Sequence, residues 1–435
     1  MITSRWAILL CKFADDPAPT NTLLHYQRLF TGVGTGSFNM VDFFRDMSHG
    51  QLDLSGSEVF GWFTLGQNRS VFAGNVSSPP PGKVNRNGLF DLCTQAAKAP
   101  NPPQQPVPLE AFDGIVVSML GNTDLWGGPP GVMHTFCDDY SLSRFNLSPS
   151  PLGQEMGHGY GLDHAKQEGS EVEYMDPWDV MSVFGAFMAD NDEWGTIGPG
   201  LNAQCMRSRG WLDESRVWKP SSNSFDLNIQ LRPLHRHDMP GLLAAELPGG
   251  FLVEYRKRER WDAGFASAVF VHSFADNHSY VMRGTAGHFN LVAGDSFQRG
   301  NPRGALSVFA NFTRMEVVAI DDAASSATIH LVHQSPFVEP KLVAQILFGI
   351  TADGGGVYLI GKTIHRVPPR GLANAIIEKL SLYLDAAEIT DAKVRSQLQR
   401  EALGAMTRSI ETRMEDLAST GGVAPLLSKS GREVR

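Results

Sequence analysis

One short segment of the sequence, residues 151–164, has the residue types and the spacing of a metal-binding site. Gln154 and His158 are four positions apart, so in a helix they lie on one face and can bind a single ion. Gly161 can adopt the left-handed conformation that ends a helix, after which the chain can return with His164. With Gln154, His158 and His164 as ligands, a fourth coordination position stays open for water, which is typical of a catalytic zinc site.

A carboxylate and a methionine accompany these ligands. Glu155 is adjacent to the ligand face of the helix, where it can reach a water molecule on the ion and act as a general base. Met181 follows in the segment Asp179-Val180-Met181-Ser182, and we predict that it lies beneath the metal ligands. The pattern therefore predicts hydrolysis by an activated water, with Glu155 as the catalytic residue.

The segment 154–164 matches the zinc-peptidase pattern H-E-x-x-H-x-x-G-x-x-H at every specified position except the first. Together with Asp179–Ser182, which is placed like a Met-turn, it resembles the gametolysin family of metzincin peptidases, in which the first ligand is His or Gln. It also shares features with immune-inhibitor-type peptidases. The resemblance covers about residues 1–333. It implies a metalloendopeptidase that cleaves protein or peptide substrates, with zinc, copper or another divalent ion as cofactor.

The glutamine at position 154 leaves several hypotheses open. An amide oxygen is a harder and weaker donor for zinc than an imidazole nitrogen, so the affinity for the ion should fall. The chain is then either a working peptidase with a natural glutamine ligand, or an inactive pseudo-peptidase that serves as a binding or adhesion module. A third hypothesis is a structural subunit that docks onto an assembly through residues 340–435. The presence of Glu155 favours an active enzyme, since a binding module has no chemical need for it.

Other side chains are candidates for smaller roles. Tyr160 and Tyr174 are close enough in sequence to donate a hydrogen bond to an oxyanion, whereas Val183 stands where many metzincins carry a tyrosine. His134 could approach the cleft, although a plain strand residue is the simpler interpretation. The segment Asp190–Glu193 could bind calcium through clustered oxygen atoms, but it lacks EF-hand spacing and also fits a solvated loop.

Composition argues against some classes of protein but says little about where in or outside the cell the chain acts. The net charge of −9 argues against nucleic acid as a partner, since phosphate binding needs a basic surface. The sequence contains no run of about 20 apolar residues, which is the length that a helix needs to span a membrane. The apolar run Trp6–Cys11 is too short for a signal-peptide core, so extracellular location or delivery out of the cell is expected only from the resemblance. Cys11, Cys93, Cys137 and Cys205 could form disulfides, but Cys11 in a core strand favours buried thiols.

The hydrophobic patterns predict an α+β protein of three parts. The resemblance implies that residues 1–218 form a metzincin-like catalytic domain with a twisted mixed sheet and an active-site helix. Residues 219–335 should form an all-β sandwich domain, because short strand-like runs alternate there with turn residues. Residues 336–435 should form a hairpin, with strands at 343–350 and 357–364 on either side of Asp353–Gly356, and two helices. Strands are predicted at 6–11, 51–55, 59–63, 114–120, 131–136, 225–231, 242–246, 251–255, 268–272 and 327–332, and helices at 38–47 (N-cap Ser37), 87–98 and from 151 (N-cap Ser150), with the last two at 371–388 and 391–418.

Overall fold

The computed structural model describes residues 2–74, 78–123, 126–139, 147–222, 224–300 and 312–334, and the backbone of 356–360 and 363–367. Its helices and strands confirm the predicted α+β class. The α-helices are α1 (Leu23–Phe30), α2 (Met40–Met47), α3 (Arg86–Lys98), α4 (Pro149–Gly159) and α5 (Ala203–Ser208). The strands are β1 (Ile2–Thr3), β2 (Trp6–Lys12), β3 (Leu52–Asp53), β4 (Glu58–Thr64), β5 (Gly114–Met119), β6 (His134–Asp138), β7 (Lys166–Gln167), β8 (Ala189–Asn191), β9 (Gly195–Ile197), β10 (Val217–Trp218), β11 (Ser224–Leu231), β12 (Ala244–Leu247), β13 (Phe251–Arg256), β14 (Ala268–Ala275), β15 (His278–Val281), β16 (Ser296–Arg299), β17 (Phe312–Asp321), β18 (Ser326–Gln334), β19 (Gly356–Ile360) and β20 (Thr363–Val367).

The sheet nearest the predicted site has the strand order β4-β2-β5-β6, and every pair in it is parallel. The prediction of a mixed sheet is therefore wrong for these strands. Parallel neighbours need crossover connections, and helices or long loops join these strands. Residues Trp6–Cys11 of β2 are fully buried, because side chains on alternate sides enter two different apolar cores. One core contains residues of α2 and α4, and the other contains residues of α3.

A second sheet joins the predicted site to a later part of the chain. Its strand order is β10-β12-β13-β14-β15-β7, and β7 begins two residues after His164. A third sheet has the order β11-β18-β17-β16. Residues 1–221, 227–297 and 315–331 form one compact unit, and residues 222–226, 298–314 and 332–435 belong to another. The division of the chain at 218 and 335 stays a prediction.

Two helices begin at other residues than the sequence predicts. Asn39, not Ser37, is the N-cap of α2, since its side chain accepts a hydrogen bond from the Asp42 amide while Asp42 bonds back to the Asn39 amide. Helix α4 begins with a proline in its first turn at Pro149, and its N-cap is Ser148 rather than Ser150. Several neighbouring cap-forming residues compete at each site, and the folded chain selects one of them.

The structure describes a C-terminal hairpin that follows Asp353–Gly356 in the sequence. Strands β19 and β20 pair antiparallel with Ile360 opposite Thr363, so only residues 361 and 362 separate them. The predicted turn at Asp353–Gly356 stays a prediction, because residues 353–355 lie outside the described residues. The run 357–364, read from the sequence as one strand, contains Gly361-Lys362, a glycine-led pair that suits a two-residue hairpin connection. The predicted strand 343–350 and the helices 371–388 and 391–418 lie outside the described residues.

All four cysteines are buried thiols, in agreement with the preferred interpretation of the sequence. Within the ranges given above, no helix is both long and apolar enough to cross a membrane.

A buried polar network connects the second sheet to the segment that contains Met181. The imidazole of His272 on β14 donates from Nε2 to the Asp176 carboxylate at 2.9 Å, and its Nδ1 lies 3.7 Å from Glu254 on β13. Burial lowers the pKa of His272, but the negative charges of Glu254, Asp176 and Asp179 outweigh this effect and raise the pKa above its usual value. The charged imidazole therefore stabilises the folded chain.

We expect the stabilising contribution of His272 to depend on pH. Its folded pKa is higher than the value of about 6.5 in an unfolded chain. The contribution is thus fully present below about pH 6.5 and is lost as the pH rises through the folded pKa. Replacing His272 by Gln should lower the urea midpoint of unfolding more at pH 6 than at pH 9. An equal loss at both values would show that the imidazole is not charged in the folded protein.

Candidate metal centre

Helix α4 carries three of the predicted site residues in its buried second half. Gln154, Glu155 and His158 are each at most 4% exposed. The helix ends as the sequence predicts, because Gly161 adopts a φ of +86° and its amide bonds to the carbonyl of His158 at 2.7 Å. The chain then turns back and brings His164 over the end of the helix.

The structure brings His158 and His164 together. Their Nε2 atoms are 3.1 Å apart, and the two rings are nearly perpendicular. His158 donates from Nδ1 to the carbonyl of Leu162 at 2.8 Å, and His164 donates from Nδ1 to the carboxylate of Glu173 at 2.8 Å. A carbonyl or carboxylate only accepts, so both Nδ1 atoms carry the hydrogen. In the neutral forms, each Nε2 is therefore the atom that carries a lone pair, and these two atoms are the pair that lies 3.1 Å apart.

This arrangement fits a divalent ion. Zinc binds imidazole nitrogen at about 2.0–2.1 Å, and tetrahedral ligands at that distance lie about 3.3 Å apart. The observed separation of 3.1 Å between the Nε2 atoms of His158 and His164 is close to that value. Hydrogen bonds from Nδ1 to a carbonyl and a carboxylate also match the outer contacts of histidines that bind metals. Burial lowers the pKa of His158 to about 4, so this imidazole is neutral at pH 7.

Gln154 lies one helical turn before His158 on α4, and its side-chain hydrogen bonds within the described part of the chain go to other residues than the two imidazoles. Its Oε1 accepts from the amide of Val183 at 3.0 Å, and its Nε2 donates to Glu155 Oε1 at 3.3 Å. The structure therefore joins Gln154 to the neighbouring carboxylate and to the chain after Met181. The amide oxygen keeps a second lone pair, which is the one that an ion would need.

Glu155 has one carboxylate oxygen in use and one without a partner in the part of the chain that the structure describes. Oε1 accepts from Gln154, whereas the buried Oε2 makes no hydrogen bond there. Burial raises the pKa of Glu155 to about 7, although the Gln154 hydrogen bond and the charge of Arg86 act in the opposite direction. A Cβ atom on Gly127 would lie 3.7 Å from Oε2, so the glycine keeps the space beside this oxygen open.

Met181 lies beneath α4. A Cβ atom on Gly157 would be 3.1 Å from the Met181 sulfur, and Met181 is fully buried. The Asp179 carboxylate accepts from the Met181 amide at 2.7 Å and so fixes the turn. The Met181 carbonyl in turn accepts from the Ala165 amide, next to His164, at 3.1 Å. The turn therefore contacts both the helix and the returning loop.

The sequence did not indicate Glu173 as a residue of the site. It indicated Tyr174, but not that Tyr174 contacts His164. Glu173 orients His164 from nine positions away, a distance that no local pattern indicates. The Tyr174 hydroxyl is 2.8 Å from His164 Nε2, the atom that faces His158. Asp163, His164 and Glu173 also place ligand atoms within 4.8 Å of one another at the exposed side of the site.

The remaining candidates lie apart from these contacts. His134 belongs to β6 and stacks on Phe90 at 4.3 Å. Strand β6 begins at 134 rather than 131, and its Phe136 amide bonds to the Gly127 carbonyl at 3.1 Å. In the predicted calcium segment, Asn191 accepts from the amides of its own turn and Glu193 pairs with Arg28. Calcium binding stays a prediction.

The protein was also compared with known proteins. No family model matches the chain, and no curated protein matches its sequence. The function must therefore be argued from the residues of this chain and their geometry.

Proposed function

We propose that this protein is a metal-dependent endopeptidase with a metzincin-like site, in which Gln154, His158 and His164 bind the ion and Glu155 is the general base. One observation carries the proposal: the Nε2 atoms of two imidazoles lie 3.1 Å apart, and each ring has a hydrogen-bond acceptor at its Nδ1. A buried carboxylate oxygen without a hydrogen bond to any described residue lies on the same helix.

The roles of the residues follow from these contacts. A divalent ion at the imidazole pair would acidify a water molecule and polarise the substrate carbonyl. Glu155 takes the proton of the attacking water on its free Oε2 and passes it to the leaving amine. Gln154 holds the other oxygen, Oε1, and so keeps the carboxylate oriented. Hydrolysis thus needs Glu155 to carry the proton. It needs Gln154 both to bind the ion and to orient the Glu155 carboxylate.

The donor set supports zinc, with copper or another divalent ion as the alternative. Two imidazoles and one amide oxygen form a harder set than three imidazoles, so zinc should bind less tightly than at a three-histidine site. Extracellular location is a proposal. An assembly role of residues 340–435 is also a proposal, and the structure describes no side chains in that range.

The proposed function is tested by removing and restoring the ion. We expect the purified full chain to cleave casein or a quenched fluorescent peptide, to lose this activity on treatment with a chelator, and to regain it when zinc or copper is added. Cleavage that persists in chelator after the metal content has fallen to zero would exclude a metal-dependent mechanism.

A second candidate function is a binding module without hydrolysis. The observation in its favour is that Gln154 hydrogen-bonds to Glu155 and Val183 rather than to either imidazole. A chain that binds the ion but cleaves neither casein nor a peptide library with any divalent ion would support this second function.

Gln154→His should tighten zinc binding if residue 154 is a ligand. An imidazole nitrogen is a better zinc donor than an amide oxygen, so we expect the Kd for zinc to fall by about 10-fold or more. Competition with a chromophoric chelator measures this change. The control is Gln204→His, at a buried glutamine on α5 that bonds the Gly250 carbonyl. An unchanged Kd in Gln154→His would mean that this position does not contact the ion.

A further inference from the structure

The loop that returns His164 to the helix receives its hydrogen-bond donors from distant parts of the chain. The carbonyl of Tyr160 accepts from Arg209 at 3.0 Å. The carbonyl of Gly161 accepts from the Asn277 side chain at 3.0 Å, and that of His164 accepts from His278 Nδ1 at 2.7 Å. Backbone carbonyls must find donors when they leave a helix, and here side chains supply them.

Two of these donors sit at the tip of one hairpin. Strands β14 and β15 pair with Ala275 opposite His278, so the turn consists of Asp276 and Asn277 alone. Both turn residues have positive φ, +49° and +67°, as a type I′ turn requires. Such a turn matches the twist of the strands and holds its side chains in fixed directions. The hairpin is therefore a rigid carrier for Asn277 and His278.

The same hairpin holds the chain after His164. Strand β7 lies parallel to β15, with Lys166 opposite Tyr280 and Gln167 opposite Val281. The Glu168 amide then donates to the Val281 carbonyl at 2.9 Å. His164 is therefore fixed on both sides by β15 and its turn, about 115 residues further along the chain.

We propose that the β14–β15 hairpin positions His164, and that Asn277 and His278 are positioning residues of the metal centre. The inference rests on the proposed function, since it assumes that His164 binds the ion. A ligand on a loop without its own helical hydrogen bonds keeps its geometry only through such support. His278 is doubly placed for this, because its Nε2 also faces the Asp163 carboxylate at 3.8 Å.

The second sheet then has a role in the metal centre. A separate recognition domain would contact substrate without affecting the ion. Here the strands β14 and β15 belong to the metal centre itself, so residues 1–218 alone lack two donors of the ligand loop. The part of the chain that binds the ion extends at least to Val281.

The test uses variants that remove the donors but preserve the hairpin. Asn277→Gly keeps a residue that favours positive φ, and His278→Leu introduces a side chain of moderate size that donates no hydrogen bond. We expect each to weaken zinc binding by the full chain by about 10-fold, and the double variant by about 100-fold. His237→Leu is the matched control, since His237 bonds Asp213 at 3.1 Å far along the chain from the ligand loop.

Zinc affinity is measured by chelator competition, and thermal unfolding and near-UV circular dichroism of the metal-free proteins are recorded beside it. Weaker zinc binding with an unchanged metal-free fold supports the inference, whereas variants that bind zinc as tightly as the parent overturn it. A double variant that unfolds is replaced by the two single ones. If the parent chain itself binds no zinc, copper or cobalt, the proposed function fails and the inference fails with it.

Discussion

Replacing Glu155 by Gln should lower kcat/KM for peptide hydrolysis by about 10²–10⁴-fold while the protein keeps its metal. Glutamine has the shape of glutamate and can still bond Gln154, but it cannot accept the proton of the attacking water. The side chain is 4% exposed, and its Oε2 has no partner among the described residues, so the substitution breaks no ion pair there. Peptide cleavage and metal content are measured on the same preparation.

Glu171→Gln is the control for this substitution. Its side chain is 85% exposed and pairs with Lys166 at 3.0 Å. We expect parent-like cleavage from this control. Full activity in Glu155→Gln would remove Glu155 from the mechanism, and loss of the metal together with the activity would make it a structural residue instead.

Replacing Arg256 by Met should destabilise the protein by about 3–5 kcal/mol. Arg256 is 1% exposed and lies between two buried carboxylates. Its Nε donates to Asp262 at 2.7 Å, its Nη1 to Glu254 at 3.2 Å, and its Nη2 to the Gly200 carbonyl at 3.1 Å. The charge of Arg256 keeps the pKa of Asp262 well below its usual value against the opposing effect of burial. Without the guanidinium, the two buried carboxylates would keep imidazole neighbours, His235 for Asp262 and His272 for Glu254.

The stability change is measured from the midpoint and slope of urea unfolding at pH 7. Arg207→Met is the control, because Arg207 pairs with Glu214 and Glu246, whose side chains are 44% and 36% exposed. Exposed pairs of this kind contribute about 0–1 kcal/mol. Equal losses in the two variants would mean that the buried pairs of Arg256 contribute no more than a surface ion pair.

Local patterns predicted the part of the site that local geometry builds. Gln154 and His158 share a helical face, and Gly161 ends the helix with a positive φ, as its residue type indicates. The buried strand at Trp6–Cys11 was equally clear, because a continuous apolar run fits a strand covered on both sides. These features depend on residues within about ten positions of one another.

The parts that were missed depend on contacts that lie outside any one helix or strand. Glu173, Asn277 and His278 reach the ligand loop through the folded chain, and nothing in their own surroundings marks them. Strand β7 has only two residues, too few for any periodicity, yet it joins the site to the second sheet. The hydrogen bonds of Gln154 to Val183 and Glu155 also follow from the folded arrangement of the turn after Asp179.

Zinc K-edge X-ray absorption spectroscopy tests the central claim most directly. The full chain is loaded with one equivalent of zinc, and the ligands of the ion are identified by their scattering. We predict one ion per chain with two imidazoles, oxygen in the remaining positions and no sulfur, and loss of the second imidazole in His164→Ala. An ion bound by fewer than two imidazoles, or a spectrum unchanged in His164→Ala, would contradict the account.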